Sequence, residues 1–154
     1  MAFIPDSFSP LGGPGRKLLH VIPAGFADAL PQGSLRSLKI EHVYPADLIR
    51  RESLRPTSLG AAARSATEGG SAVSDDLMIN LFRRWFWSRK AGSGFCIHGF
   101  PANRLQAGVM DEWMETRDET LDACVVSAET AGHEVARHYR SIGVPVVGVE
   151  EVVA

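Results

Sequence analysis

Gly94-Phe95-Cys96-Ile97-His98-Gly99-Phe100-Pro101 decides the fold of this chain. An apolar strand runs into Gly-Phe-Pro, whose glycine and proline mark a sharp turn. Gln106 and Ala107 follow, and Leu105, Val109 and Trp113 give the i, i+4, i+8 stripe of a helix. The chain on either side repeats this strand–turn–helix unit. Upstream, Lys17 to Ile22 is a short apolar run bounded by Pro23, and Lys39 to Tyr44 alternates apolar with polar residues. Downstream, Leu121 to Ser127 and Val144 to Val149 have the same strand character. Asp76 to Lys90 is helical, with Leu77, Leu81, Phe82, Trp85 and Phe86 on one stripe and Ser74 or Asp75 as its N-cap. Thr130 to Ile142 is a second helix, with Val135, Tyr139 and Ile142 on one face and Gly143 as its stop. Strands alternating with helices predict a three-layer α/β/α fold around a five-stranded parallel sheet.

Composition narrows the function classes. A chain of 154 residues suits one domain whose core needs no disulfides. Residues 1–16 form a Pro/Gly-rich arm ahead of an α/β domain over 17–154, and Phe3 and Phe8 in the arm could dock on a neighbour. The net charge of −2 gives no basic footprint for nucleic acid. No apolar run approaches the ~18 residues a membrane span needs, and the N-terminus lacks a signal-peptide pattern. Cytoplasmic localisation is the default expectation. Cys96 and Cys124 lie in apolar runs and read as buried, reduced thiols. Arg83, Arg84, Arg89 and Lys90 read as the solvated basic face of the Asp76–Lys90 helix, and Trp87 falls off its apolar stripe.

The Gly-Phe-Pro unit resembles the central strand of the adenylate kinases and other nucleoside monophosphate kinases, which reads Gly-Phe-Leu-Leu-Asp-Gly-Phe-Pro-Arg with a Gln a few residues later. The strand, the turn and Gln106 match, while His98 stands at the Asp position and Ala102 at the Arg position. Pro45-Ala-Asp47-Leu48-Ile49-Arg50 resembles the family's Ser-Thr-Gly-Asp-Leu-Leu-Arg. The resemblance implies the strand order 2-3-1-4-5. It also implies an acceptor-nucleotide side made of Arg50 on the phosphate, Gln106 on the adenine edge, and Gly99. The phosphate loop would fall after the first strand, where Pro23 and Gly25 match and Ala27 takes the place of the Lys. A broken or short helix is expected after Pro31. Too few residues follow Ser127 for the family's lid and its arginines, so the expected core is lidless.

Phosphoryl transfer in such folds is positioning plus charge neutralisation by the loop Lys, Mg²⁺ and arginines. With Ala27, His98 and Ala102 at charged positions, the resemblance implies a pseudo-kinase acting as an interaction or structural module. The alternatives are a residual AMP-type nucleotide-binding module and, second, an active nucleoside monophosphate kinase. No cofactor is expected. The expected partners are a second copy or a larger protein complex and, on the first alternative, an adenine nucleotide. His20, His42 and His98 lie on three strands, and their imidazoles would converge if those strands were neighbours. Their spacing is no ligand signature, so the expectation is three separately satisfied histidines and no metal site.

Overall fold

The computed structural model describes residues 15–23, 38–69 and 73–151. Its strands are β1 (Lys17–His20), β2 (Glu41–Val43), β3 (Phe95–His98), β4 (Ala123–Val126) and β5 (Val146–Gly148). They form one parallel sheet in the predicted order β2-β3-β1-β4-β5. Each strand is shorter than its apolar run. The helices are α1 (Pro45–Ser53), α2 (Ser58–Gly69), α3 (Asp75–Ser88), α4 (Arg104–Thr116) and α5 (Glu134–Ser141). The residues between β4 and β5 hold α5 and no inserted domain. Among the described residues no helix is long and apolar enough to cross a membrane. The N-terminal arm with Phe3 and Phe8, and the segment expected to be helical after Pro31, lie outside the described residues.

The alternation of strand side chains divides the sheet into two faces of different chemistry. Leu19, Val43, Phe95, Ile97, Cys124 and Val126 face the helices and join Phe82, Phe86, Phe100, Met110, Trp113 and Tyr139 in the larger core cluster. Leu18, Cys96, Ala123, Val125 and Val147 face the other way and meet Leu38, with Ile40 and Val149 beside them. No residue of α1 to α5 belongs to that second cluster. Parity puts His20, His42 and His98 on the second face.

Local signals explain where the helices begin. Pro45 opens α1, where a missing N–H costs nothing. Ser74 caps α3, its Oγ accepting from the Leu77 N–H at 3.2 Å, and Asp75 and Asp76 sit in the first turn. Asn103 caps α4 through a 2.9 Å bond from the Gln106 N–H. α5 starts four residues later than its pattern suggests because Thr130 is used elsewhere. Its hydroxyl accepts from the Ser127 N–H at 2.9 Å and donates to the Val21 carbonyl at 3.1 Å, closing the turn after β4 onto the end of β1. Gly143 follows α5 with φ +88°, and Ile142, expected on the apolar face, is 55% exposed in the turn. The α4 stripe also differs from expectation. Ala107, Met110 and Met114 are buried with Trp113, whereas Leu105 is 59% exposed.

Arg89 corrects the reading of a solvated basic face. Its side chain is 4% exposed and its Nη2 lies 2.5 Å from Glu119, itself 7% exposed. The guanidinium sits 4.5 Å from the Phe86 ring centroid and 4.9 Å from that of Phe95. Its Nη1 donates to the Ser93 carbonyl at 3.0 Å. Glu119 also accepts from the Gly92 N–H at 3.2 Å and lies 3.9 Å from Lys17 Nζ. This knot joins the C-terminus of α3 to the amino ends of β1 and β3, the edge of the sheet opposite the strand C-termini.

Candidate functional site at the carboxyl edge of the sheet

Ligands of open α/β sheets bind outside the carboxyl ends of the strands, and two groupings lie there. The first is a groove of about 670 Å³ lined by Pro45, Ile49 and Arg50 of α1, Thr67 of α2, and Val73 and Met78 at the start of α3. Its walls are largely apolar, with Arg50 as their cationic group. Arg50 is two-thirds exposed and ion-paired with Asp47 one turn earlier. Gly99 lies close by. It has φ +91°, its N–H donates to the His20 carbonyl at 3.0 Å, and a Cβ built on it would come within 3.1 Å of Ile22 and 3.9 Å of Pro45. The turn after β3 therefore requires glycine for its dihedral, and a side chain there would also press on Ile22.

Gln106 is not among the groove's lining residues. It is 3% exposed, and its amide is occupied from both ends. Oε1 accepts from the Ala102 N–H at 2.7 Å, and Nε2 donates to Asp75 Oδ1 at 3.0 Å, which also accepts from Asn103. The structure thus places Arg50 at the groove and uses Gln106 to hold the β3–α4 turn against the N-terminus of α3. Of the phosphate-loop positions, Pro23 is described, while Gly25 and Ala27 lie outside the described residues.

The second grouping is a row of imidazoles that sequence reading expected to be satisfied separately. β3 lies between β2 and β1, so His98 is flanked on both sides. His20 is its register partner, and His42 is opposite Cys96. His98 Nδ1 is 2.9 Å from His20 Nδ1, and His98 Nε2 is 2.9 Å from His42 Nδ1. His42 Nε2 lies 3.2 Å from the Leu38 carbonyl. A carbonyl only accepts, so in the uncharged row one set of tautomers follows. His42 Nε2–H donates to Leu38, His98 Nε2–H to His42, and His20 Nδ1–H to His98. Tyr44 stacks on His98 with centroids 4.6 Å apart and planes 9° apart.

Burial disfavours a charge in this row. It lowers His98 to about 3, with His20 and His42 adding repulsion, and lowers His20 to about 4. Burial likewise pushes the Cys96 thiol well above its ordinary range and Cys124 up to about 12. Both cysteines are free and buried, as the apolar runs implied. One ring nitrogen each of His42 and His98 and the Cys96 sulfur lie within 4.8 Å of one another.

No family model matches the chain. Comparison with curated proteins finds adenylate kinases. The enzyme of Streptomyces lividans is 37% identical over 101 residues, covering 66% of this chain and 50% of the relative. That of Moorella thermoacetica is 34% identical over 88 residues, covering 57% and 41%. That of Streptomyces coelicolor is 35% identical over 101 residues, covering 66% and 46%. These matches give the chain an adenylate-kinase-like relationship, which the parallel sheet and its strand order fit. The chain spans about half the length of the curated relatives it matches.

Proposed function

We propose, with the adenylate-kinase-like relationship as premise, that this chain is a non-catalytic member of that kind which serves as a binding or interaction module. The observation that carries the reading is the position of His98. It stands where the resembling kinases have the strand-end Asp that holds a Mg²⁺-bound water, and both its ring nitrogens are bonded to other imidazoles. Mg²⁺ takes oxygen ligands in a near-ideal octahedron, and a buried imidazole row does not fit that ion. Ala27 in place of the loop Lys and Ala102 in place of the Arg remove two more charged groups. Each such group typically contributes a few kcal/mol of transition-state stabilisation, so their joint loss is expected to abolish transfer. A coupled assay of purified protein with ATP, AMP and Mg²⁺ should stay at the blank rate. Turnover well above blank that Arg50→Ala abolishes would overturn the reading.

The groove beside Arg50 favours a second role, residual recognition of a nucleoside monophosphate. Its apolar walls suit a base, and a guanidinium fork suits a phosphate. With Gln106 tied to Asp75 and Ala102, base recognition would come from contact with the walls. The expected affinity is weak, on the order of micromolar to millimolar. Loss of one charged hydrogen bond is worth roughly 1.5–3 kcal/mol, so Arg50→Ala should raise the Kd about tenfold or more. Calorimetry and melting curves with AMP measure both quantities. Saturating ligand at a hundred times its Kd adds about 2.7 kcal/mol of stability, and no heat with no melting shift at millimolar AMP would leave the interaction role alone. For that role, Leu54, Leu105, Ile142 and Trp87 are the exposed large apolar groups among the described residues.

A further inference from the structure

We propose that His42, Cys96 and His98 form a binding site for a thiophilic divalent metal ion of the zinc type, with His20 and the Leu38 carbonyl orienting the two imidazoles. The site does not depend on the kinase resemblance. It follows from β2 and β3 lying side by side and presenting three ligand types on one face.

Geometry comes first. Zn–N bonds of about 2.0 Å at tetrahedral angles put two nitrogens roughly 3.3 Å apart. His42 Nδ1 and His98 Nε2 are 2.9 Å apart, a few tenths of an ångström short. The three ligand atoms lie within 4.8 Å of one another. Zn–N and Zn–S bonds of about 2.0 and 2.3 Å at tetrahedral angles put nitrogen and sulfur roughly 3.5 Å apart, so side-chain rotation must draw the set in by about 1 Å on binding. Two imidazoles and a thiolate are a donor set for Zn²⁺ or Co²⁺ and a poor one for Mg²⁺ or Ca²⁺. Three protein ligands leave one coordination position for water or another ligand.

The outer shell is already built. Metal-bound imidazoles typically donate their second N–H to a fixed acceptor, which sets ring orientation. His42 Nε2–H has the Leu38 carbonyl at 3.2 Å. His98 Nδ1 has His20 Nδ1 at 2.9 Å. Proton balance is simple because the row can shift tautomer. When metal takes the His98 Nε2 lone pair, the proton there is displaced and His98 becomes the Nδ1–H form, donating to His20. His20 then carries its own proton on Nε2. The three imidazoles stay neutral, and the one proton released comes from the Cys96 thiol. Burial that makes a free thiolate unfavourable at Cys96 is reversed by a cation in bonding contact.

The test uses the full chain, reduced, stripped with chelator and refolded with Co²⁺ as the probe. One Co²⁺ per chain is expected, with tetrahedral ligand-field bands and a thiolate-to-cobalt charge-transfer band, and Zn²⁺ should displace it. Cys96→Ser should remove the charge-transfer band and weaken uptake at least tenfold. Cys124→Ser, on the opposite face of the sheet, should change neither. His20→Phe should keep the band while weakening affinity about 10- to 100-fold, the usual effect of losing an outer-shell partner. If Cys96→Ser does not fold by circular dichroism, His42→Ala on the short edge strand gives the same information through loss of tetrahedral uptake. No stoichiometric uptake by the wild-type chain overturns the proposal. So does a cobalt spectrum without a thiolate band, or one that survives both Cys96→Ser and His42→Ala.

Discussion

Glu119→Ala should lower the stability of the chain by about 3–5 kcal/mol, the usual cost of removing one partner of a buried ion pair. The size comes from what is left behind. Arg89 is 4% exposed and pressed against the Phe86 and Phe95 rings, so its guanidinium cannot reach water without taking that packing apart. Its Nε already lacks a protein partner. In a domain of this size each kcal/mol moves the Tm by roughly 2–4 °C, so thermal denaturation should fall by about 6–20 °C. The same carboxylate gives a pH signature. Burial pushes the Glu119 carboxyl up, and the hydrogen bonds from Arg89 and the Gly92 N–H with the charges of Arg89 and Lys17 outweigh it, leaving it below the usual range. A depressed carboxylate stabilises the fold above its unfolded value of roughly 4.3. That contribution is lost as pH falls through the lower folded value. Wild-type stability should therefore drop on acidification through this window, and Glu119→Gln should lose that part of the drop. A mutant as stable as wild type at neutral pH would show that water, and not Glu119, solvates Arg89.

Phe82→Ala is expected to cost about 3–5 kcal/mol, as large aromatic truncations in a core do. Phe82 is fully buried on α3 and stacks on Phe100 with centroids 4.2 Å apart and planes 5° apart. Phe100 in turn stacks at 6.2 Å on Trp113 of α4. Removing Phe82 opens a cavity between α3 and the turn that follows β3, so the loss falls on the segment that holds Gly99. Denaturant unfolding followed by tryptophan fluorescence reads both effects, because Trp85 packs edge-on against Phe82 and Trp113 stacks on its neighbour Phe100. A loss under 1 kcal/mol would mean that this aromatic stack repacks freely.

The sheet was legible because short apolar runs bounded by Gly and Pro recur along the chain, and the family resemblance carried by the Gly-Phe-Pro turn implied the order. The α4 stripe was misjudged because Leu105 outweighs Ala107 and Met110 on any hydropathy scale, although a leucine in the first turn can point away from the core. Arg89 was misread for a similar reason. A basic residue late in a helix looks solvated until Glu119, 30 residues on, is folded back against it. Gln106 was read, through the resemblance, as a group for the adenine edge, and its bond to Asp75 depends on how α3 meets α4. The histidines were the intermediate case: their strands could be read, and their contact followed only once the strand order was known.

That contact has a consequence for assembly. A one-residue slip of a strand turns its apolar side chains to the wrong face, and hydrophobicity alone opposes it. A two-residue slip keeps every face correct and would pass unnoticed by Leu18, Ile97 or Val125. It would not pass unnoticed by His98, which would lose both imidazole partners in a dry interior and leave polar atoms unsatisfied at roughly 1–3 kcal/mol each. The three rings thus act as a key for the pairing of β2, β3 and β1, rejecting the arrangements that an oily core by itself would accept.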